Sequence, residues 1–131
     1  MSNKAKFRAL IDDFESGNLD VLIGTQMVSK GLDFERVKLV GVMDADSLMG
    51  FPDFRAEERA YDMLMQVSGR SGRKGERGKV VIQLTDMQSR VYQLVRKENY
   101  REFYTQLSQE REMFNYPPFS RLILVELRHM D

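Results

Sequence analysis

The chain has 131 residues, of which 42% are hydrophobic and 31% are charged, with 20 basic and 20 acidic side chains. This length allows one domain with a core of its own but not two full domains. The lack of cysteine excludes disulfides, thiolate zinc sites and cysteine nucleophiles. No apolar run approaches the ~18 residues of a membrane span, so we expect a soluble, cytoplasmic protein. Because the net charge is zero, bulk charge does not indicate a nucleic-acid partner.

The first half of the chain predicts alternating helices and strands. A helical pattern covers residues 4–16 and ends at Gly17. Two short apolar runs, 21–25 and 39–44, predict strands that are buried on both faces, as in a parallel sheet covered by helices. A second helix is expected at 53–68. The apolar faces of the two helices consist of Phe7, Leu10, Ile11 and Phe14 in the first, and Ala56, Ala60, Leu64 and Val67 in the second.

The second half of the chain predicts a third strand at 79–84 and two further helices. Each of these helices is expected to open with a capping box, a pair of side chains three residues apart that bond the free backbone N–H groups. The pairs are Thr85 with Gln88 and Asn99 with Glu102. The last helix carries a stripe that forms either a core face or a base-stacking surface, and its members are Tyr100, Phe103, Tyr104 and Leu107. Two prolines then break the chain, and 122–127 predicts a strand.

These elements predict a small α/β domain. We expect one domain over residues 1–115 and the start of a following domain over 116–131. Asp44 and Asp46 end the second predicted strand, where two carboxylates without other ligands favour capping of a loop over a metal site. The single histidine, His129, cannot build a site alone, so the sequence predicts no metal site.

The stretch QVSGRSGRKGERGK, residues 66–79, contains five basic residues and four glycines. A helix that ends near Ser68 would present Arg70 and Arg73 just beyond its C-terminal end. A guanidinium group binds phosphate through two hydrogen bonds and keeps its charge at any physiological pH. A solvated basic loop is the alternative, but the order Q-x-x-G-R-x-G-R, which includes Gln66 and Gly69, is more specific than composition. The segment therefore predicts a phosphate-binding site.

The segment TQMVSKGLDF, residues 25–34, directly follows the first predicted strand. Loops at the carboxyl ends of parallel strands carry the ligand sites of many α/β proteins. Thr25 and Gln26 could bond a nucleic-acid backbone, and Lys30 could neutralise a phosphate. Asp33 could accept a hydrogen bond from a ribose hydroxyl or orient an arginine. An ordinary polar loop with a glycine turn is the alternative.

In this order, the two segments resemble motifs V and VI of superfamily 2 helicases. Two further stretches narrow the resemblance, namely DFRAEER at 53–59 and EREMFNYPPF at 110–119. Together with GTQMVSKGLDF and QVSGRSGR, they resemble the PriA family of primosomal replication-restart helicases, also called primosomal protein N′. The resemblance covers most of residues 20–119 and implies part of the second lobe of a three-layer, RecA-like α/β motor with a mainly parallel sheet.

The resemblance also implies roles for the motif residues. Arg70 and Arg73 would reach the γ-phosphate of an ATP held by another lobe and stabilise the charge that develops in phosphoryl transfer. Gln66 and Gly69 belong to the same nucleotide-contacting motif. In the other motif, the implied nucleotide sensors are Gly31 and Asp33, and the implied DNA contacts are Thr25, Gln26 and Lys30.

The family's remaining parts have no counterpart in this sequence. It contains no P-loop G-x-x-x-x-G-K-[ST] and no DExH-like acidic motif, so ATP and Mg²⁺ would be bound mainly by a first lobe. The family's zinc segment is likewise missing. The implied protein is a 3′-to-5′ DNA helicase of replication restart, and this segment alone would be inactive. Its partners would be forked or single-stranded DNA, the first lobe and DNA-binding domain, and primosome proteins. A stand-alone nucleic-acid-binding module and a protein-interaction α/β module are the alternatives.

Overall fold

A computed structural model describes residues 3–25, 37–50, 52–69, 79–123, 125 and 127. Within these ranges the chain forms helices and a parallel pair of strands. In chain order they are α1 (Asn3–Glu15), β1 (Leu39–Val42), a 3-10 helix (Ala45–Leu48), α2 (Ala56–Ser68), β2 (Lys79–Ile82), α3 (Arg90–Arg96) and α4 (Tyr100–Met113). None of these helices is long and apolar enough to cross a membrane.

β1 and β2 pair in parallel, with Leu39 opposite Lys79 and Val42 opposite Ile82. A parallel pair needs a crossover connection, and α2 lies between the two strands in the chain. The predicted α/β class with parallel strands is thus confirmed. The prediction that both faces of the strand at 39–44 are buried is wrong, because exposed and half-buried residues alternate along β1, as they also do along β2. One face packs on the helices through Val42 and Ile82, and nothing in the described part covers the other.

Two predicted strands are absent from the described residues. Residues 21–25 have no strand conformation, and Ile23 is 89% exposed. Residues 122, 123, 125 and 127 likewise have no strand conformation. A strand needs a neighbour that accepts its backbone hydrogen bonds, and an apolar composition does not supply that neighbour. Both predictions were therefore wrong for the residues that the structure describes.

The core lies between α2, α3 and α4. The four apolar positions that we predicted on α2 are all buried, which confirms the helical spacing of Ala56, Ala60, Leu64 and Val67. Tyr61 adds an aromatic contact, since its ring stacks on that of Phe103 with centroids 4.1 Å apart and an angle of 8°. This packing buries one full face of α2 and fixes the helix against the two helices that follow it.

The stripe predicted on α4 is only half in the core. Phe103 is buried and Leu107 packs against the core cluster, whereas Tyr100 and Tyr104 are each 60% exposed. The reason is geometric: residues four apart share a stripe, so the tyrosines form a second stripe beside the buried one. Their rings lie 6.4 Å apart at the edge of the core. Base stacking at this edge stays a prediction.

Two of the predicted helix ends are confirmed by the structure and one is not. Gly17 has a positive φ of 81° and ends α1, as predicted. The Asn99–Glu102 pair caps α4, because the Glu102 N–H donates to Asn99 Oδ1 at 3.1 Å. The pair Thr85 and Gln88 does not form a capping box, and α3 begins only at Arg90. The Gln88 N–H donates instead to the carboxylate of Asp86 at 2.9 Å, since the short acidic side chain reaches that donor first.

Two buried tyrosines allow a matched test of hydrogen bonding in the core. The Tyr92 hydroxyl donates to the Ala45 carbonyl at 2.8 Å, whereas the buried Tyr61 hydroxyl has no partner among the described residues. Burial raises the pKa of both hydroxyls, so both stay protonated at neutral pH. We expect Tyr92→Phe to lower the free energy of unfolding by about 1 kcal/mol, because it removes this buried hydrogen bond. Tyr61→Phe should leave it unchanged or raise it. Urea unfolding that gave equal losses for both variants would contradict this assignment.

Candidate functional site

The structure describes three of the predicted site residues, and all three are exposed: Thr25, Gln66 and Gly69. No hydrogen bond joins Thr25 to either of the others among the described residues. The remaining predicted site residues lie outside the described ranges, and they are Gln26, Lys30, Gly31, Asp33, Arg70 and Arg73. The structural description of the site therefore concerns α2 and the contacts that hold it.

The C-terminal end of α2 presents Gln66 to solvent. Leu64 and Val67 on the same turn are buried in the core. The face that carries Gln66 therefore points away from the core, toward solvent. The Gly69 N–H donates to the Met65 carbonyl at 3.0 Å and closes that turn. Gly69 has an ordinary right-handed backbone conformation, with φ at −71°, so its conformation does not demand glycine. The segment QVSGRSGR thus begins on a helix end that is packed against the core.

The two acids after β1 act within the loop. The Asp46 carboxylate accepts a hydrogen bond from the Thr85 N–H at 2.6 Å, and the Asp44 carbonyl accepts one from the Ser47 hydroxyl at 2.8 Å. The first of these bonds joins the segments that follow β1 and β2, as the loop-capping interpretation predicts for Asp46, and the second lies within the segment after β1. The described part of the chain contains no group of three histidine, aspartate or glutamate side chains placed to hold a metal ion.

At the opposite end of α2, Arg90 is held between two acids. Its guanidinium donates to Glu57 Oε2 from Nε at 2.8 Å and from Nη2 at 2.5 Å, and it also pairs with Glu110. Burial alone would lower the pKa of Arg90, but the hydrogen bonds and charges of the two carboxylates outweigh it and raise that pKa. Arg90 therefore stays charged, and it connects the first turn of α2 to α3 and α4.

Arg111 makes a second connection beside the first. Its Nη2 donates to Glu58 Oε2 at 2.6 Å, and its Nη1 donates to the Pro117 carbonyl at 3.4 Å. The guanidinium carbon lies 5.2 Å from the centre of the Phe54 ring. Only 15% of the Arg111 side chain is exposed. Arg111 thus joins the first turn of α2, the end of α4 and the segment after α4.

These contacts bring together two stretches that the sequence analysis treated as separate signatures, DFRAEER and EREMFNYPPF. Besides the ion pairs, the rings of Phe54 and Tyr116 stack with centroids 5.2 Å apart and an angle of 14°. We did not predict this cluster. The signal available was charge: consecutive acids in one stretch and an acid–arginine pair in the other, both next to aromatic residues. Such complementarity indicates a contact without fixing which residues pair.

The carboxyl groups of Asp53, just before α2, and Asp62, in the middle of α2, should contribute to stability in opposite ways as the pH falls. Asp53 accepts hydrogen bonds from the Arg55 N–H at 2.9 Å and from Arg59 at 2.6 Å, which lower its pKa below 3.8. Burial, together with the charge of Glu58, raises the pKa of Asp62. Asp53 thus stabilises the fold at pH values above its ordinary pKa. This contribution is lost as the pH falls through the lowered pKa of the folded state. Asp62 contributes its stability at low pH, and that contribution is lost as pH rises through its raised pKa.

We therefore expect the loss of folding stability between pH 7 and about pH 2.5 to change in opposite directions in two variants. Asp53→Asn should lose less stability than the unmodified chain over this range, and Asp62→Asn should lose more. Urea unfolding at both pH values measures the two differences. Parallel behaviour of the two variants would show that the contacts of Asp53 and Asp62 do not set the acid response.

The chain is similar in sequence to known helicase proteins. The model of the helicase conserved C-terminal domain matches residues 2–75. The replication restart protein PriA of Synechocystis sp. is 49% identical over 122 residues, which make up 93% of this chain and 15% of that protein. PriA of Bacillus subtilis is 41% identical over 130 residues, which make up 99% of this chain and 16% of the relative. The chain thus spans about a sixth of the length of these two curated relatives.

Proposed function

Because the chain belongs to the helicase conserved C-terminal domain family, with its RecA-like α/β fold, we propose that it is the nucleotide-contacting part of the second motor lobe of a replication-restart helicase. The similarity to replication restart proteins over nearly the whole chain supports this proposal. In this proposal residues 1–115 belong to the lobe, and residues 116–131 begin the next domain. The whole protein is an ATP-dependent DNA helicase of the cytoplasm that moves 3′ to 5′.

The observation that carries the proposal is the position of Gln66 on α2. The helix buries one face against α3 and α4 and exposes Gln66 on its last turn, directly before the arginine motif. An exposed amide can donate to and accept from a nucleotide, and a packed helix restricts where that amide lies. A flexible basic loop would need no such support.

The proposed chemistry is electrostatic. ATP with Mg²⁺, held mainly by another lobe, supplies the phosphoanhydride bond that is broken. Arg70 and Arg73 stabilise the negative charge that develops on the γ-phosphoryl oxygens, since a guanidinium donates two parallel hydrogen bonds and cannot lose its charge. Gln66 and Gly69 position the nucleotide where the two lobes meet.

In this proposal the same lobe contacts both the nucleotide and the DNA, which couples ATP hydrolysis to movement. We assign the DNA backbone contacts to Thr25, Gln26 and Lys30, where hydroxyl, amide and ammonium groups match phosphate oxygens. Gly31 and Asp33 follow within a few residues and report the state of the nucleotide. The partners in this proposal are forked or single-stranded DNA, the first lobe, the DNA-binding domain and primosome proteins.

The proposal is tested by ATP hydrolysis. The full-length protein should hydrolyse ATP at least ten times faster with saturating single-stranded DNA than without it, and the 131-residue chain alone should not hydrolyse ATP. Absence of DNA stimulation in the full-length protein would contradict the proposal. If the chain alone binds DNA with an affinity that falls steeply with salt, the stand-alone nucleic-acid-binding module becomes the better interpretation.

A further inference from the structure

α2 is held by ion pairs at one end and carries its proposed functional residue at the other. Glu57 and Glu58 lie in its first turn, and Gln66 lies in its last. At 1.5 Å per residue, roughly 14 Å of helix separates Glu57 from Gln66. A tilt of about 4° at the first turn would displace the last turn by about 1 Å, enough to reduce catalysis severely when the displaced group contacts the reacting part of a substrate.

Two different elements supply the arginines that hold the first turn. Arg90 is the first residue of α3 and binds Glu57, while Arg111 lies near the end of α4 and binds Glu58. Because the two acids are consecutive, their side chains leave the helix in directions about 100° apart. Contacts in two directions restrict both the tilt and the rotation of the helix, which one ion pair could not do.

The remaining contacts of α2 differ in kind. Its buried face consists of apolar residues, whose packing stabilises the fold and holds the helix against α3 and α4. Ion pairs of half-exposed side chains, such as Arg90 with Glu57, add little to stability. Hydrogen bonds from a planar guanidinium are directional, however, and constrain geometry. The two guanidinium contacts therefore add a directional constraint on the first turn of α2, beyond the position that the core packing sets.

We infer that Arg90 and Arg111 are positioning residues that orient α2, and with it Gln66, for nucleotide contact during ATP hydrolysis. This inference rests on the proposed function. Arg111 has the larger effect of the two, since it is the less exposed and also contacts the Phe54 ring and the Pro117 carbonyl. It thereby ties the orientation of α2 to the segment that follows α4.

The experiment measures steady-state ATP hydrolysis by the full-length protein carrying Arg111→Met, with single-stranded DNA at saturation. We expect kcat to fall at least tenfold while the KM for ATP changes less than twofold. Affinity for ADP with aluminium fluoride, which resembles the transition state, should fall by a similar factor, with the affinity for ADP alone unchanged. A residue needed only for folding would lower the unfolding temperature without this split.

Arg59→Met is the matched control. It also removes an arginine from an ion pair at the start of α2, but its partner Asp53 lies in the same stretch of chain and, among the described residues, contacts no second element. This variant should keep kcat within twofold of the unmodified protein. If Arg111→Met does not fold, Glu58→Gln tests the same link with a smaller change and should lower kcat about threefold or more.

The outcomes separate this inference from the proposed function. If Arg70→Ala is inactive but the folded Arg111→Met and Glu58→Gln variants turn over like the unmodified protein, only the positioning inference is overturned. If Arg70→Ala is fully active, the proposed function fails and the inference fails with it. An equal loss in Arg59→Met and Arg111→Met would also overturn the inference, because any ion pair on α2 would then serve.

Discussion

Replacing Arg70 or Arg73 with alanine should lower the kcat of DNA-stimulated ATP hydrolysis by the full-length protein at least ~100-fold. Each arginine is proposed to stabilise charge that develops only in the transition state. Loss of one such donor therefore lowers kcat much more than it raises the KM for ATP. Steady-state kinetics over a range of ATP concentrations measure both constants. Circular dichroism of each variant establishes that the fold is intact.

The same basic stretch contains its own matched controls. Lys74 and Arg77 carry the same charge a few residues further along but lie outside the Q-x-x-G-R-x-G-R pattern. Lys74→Ala and Arg77→Ala should change kcat less than threefold if position in the motif matters rather than charge. Equal losses at all four positions would show that the stretch acts as a basic loop. That result would favour a nucleic-acid-binding module.

Replacing Leu64 with alanine should lower the free energy of unfolding by about 3–5 kcal/mol. Leu64 is 0% exposed and lies in the middle of α2, within the core cluster formed with α3 and α4. Its removal leaves a cavity that aromatic neighbours such as Tyr61 and Phe103, stacked on each other, cannot readily fill. Urea unfolding followed by circular dichroism measures the loss.

Leu10→Ala makes the same chemical change at a half-exposed position on α1. It should lower the free energy of unfolding by less than about 1 kcal/mol, because little apolar surface leaves the interior. A loss at Leu64 no larger than that at Leu10 would mean that the packing of α2 against α3 and α4 does not form the core. The described packing of this helix would then be wrong.

The sequence patterns predicted correctly those parts of the fold that depend on interactions within one helix. The spacing of Ala56, Ala60, Leu64 and Val67 identified the buried face of α2 because helical periodicity acts within one element. Asn99 capped α4 because its side chain reaches the third residue of the helix without help from elsewhere. The resemblance to replication-restart helicases, read from short motifs, is confirmed by the similarity to PriA proteins across the chain.

Features that depend on distant neighbours could not be read in this way. Residues 21–25 have the composition of a buried strand, but among the described residues they have no strand beside them. Tyr100 and Tyr104 share the helical spacing of core residues, and only the placement of α2 decided which stripe was buried. The Arg111–Glu58 contact joins positions 53 apart in sequence, and charge alone leaves many pairings open.

The most direct test of the central claim is ATP-dependent unwinding of DNA by the full-length protein. The substrate is a labelled duplex with a 3′ single-stranded tail, and a duplex with a 5′ tail serves as the control. We predict strand separation of the first substrate with ATP and Mg²⁺, none without ATP, and none when Arg70 is replaced by alanine. Failure to unwind in the presence of ATP, or unchanged unwinding by the Arg70→Ala variant, would contradict the assignment of this chain to a helicase motor.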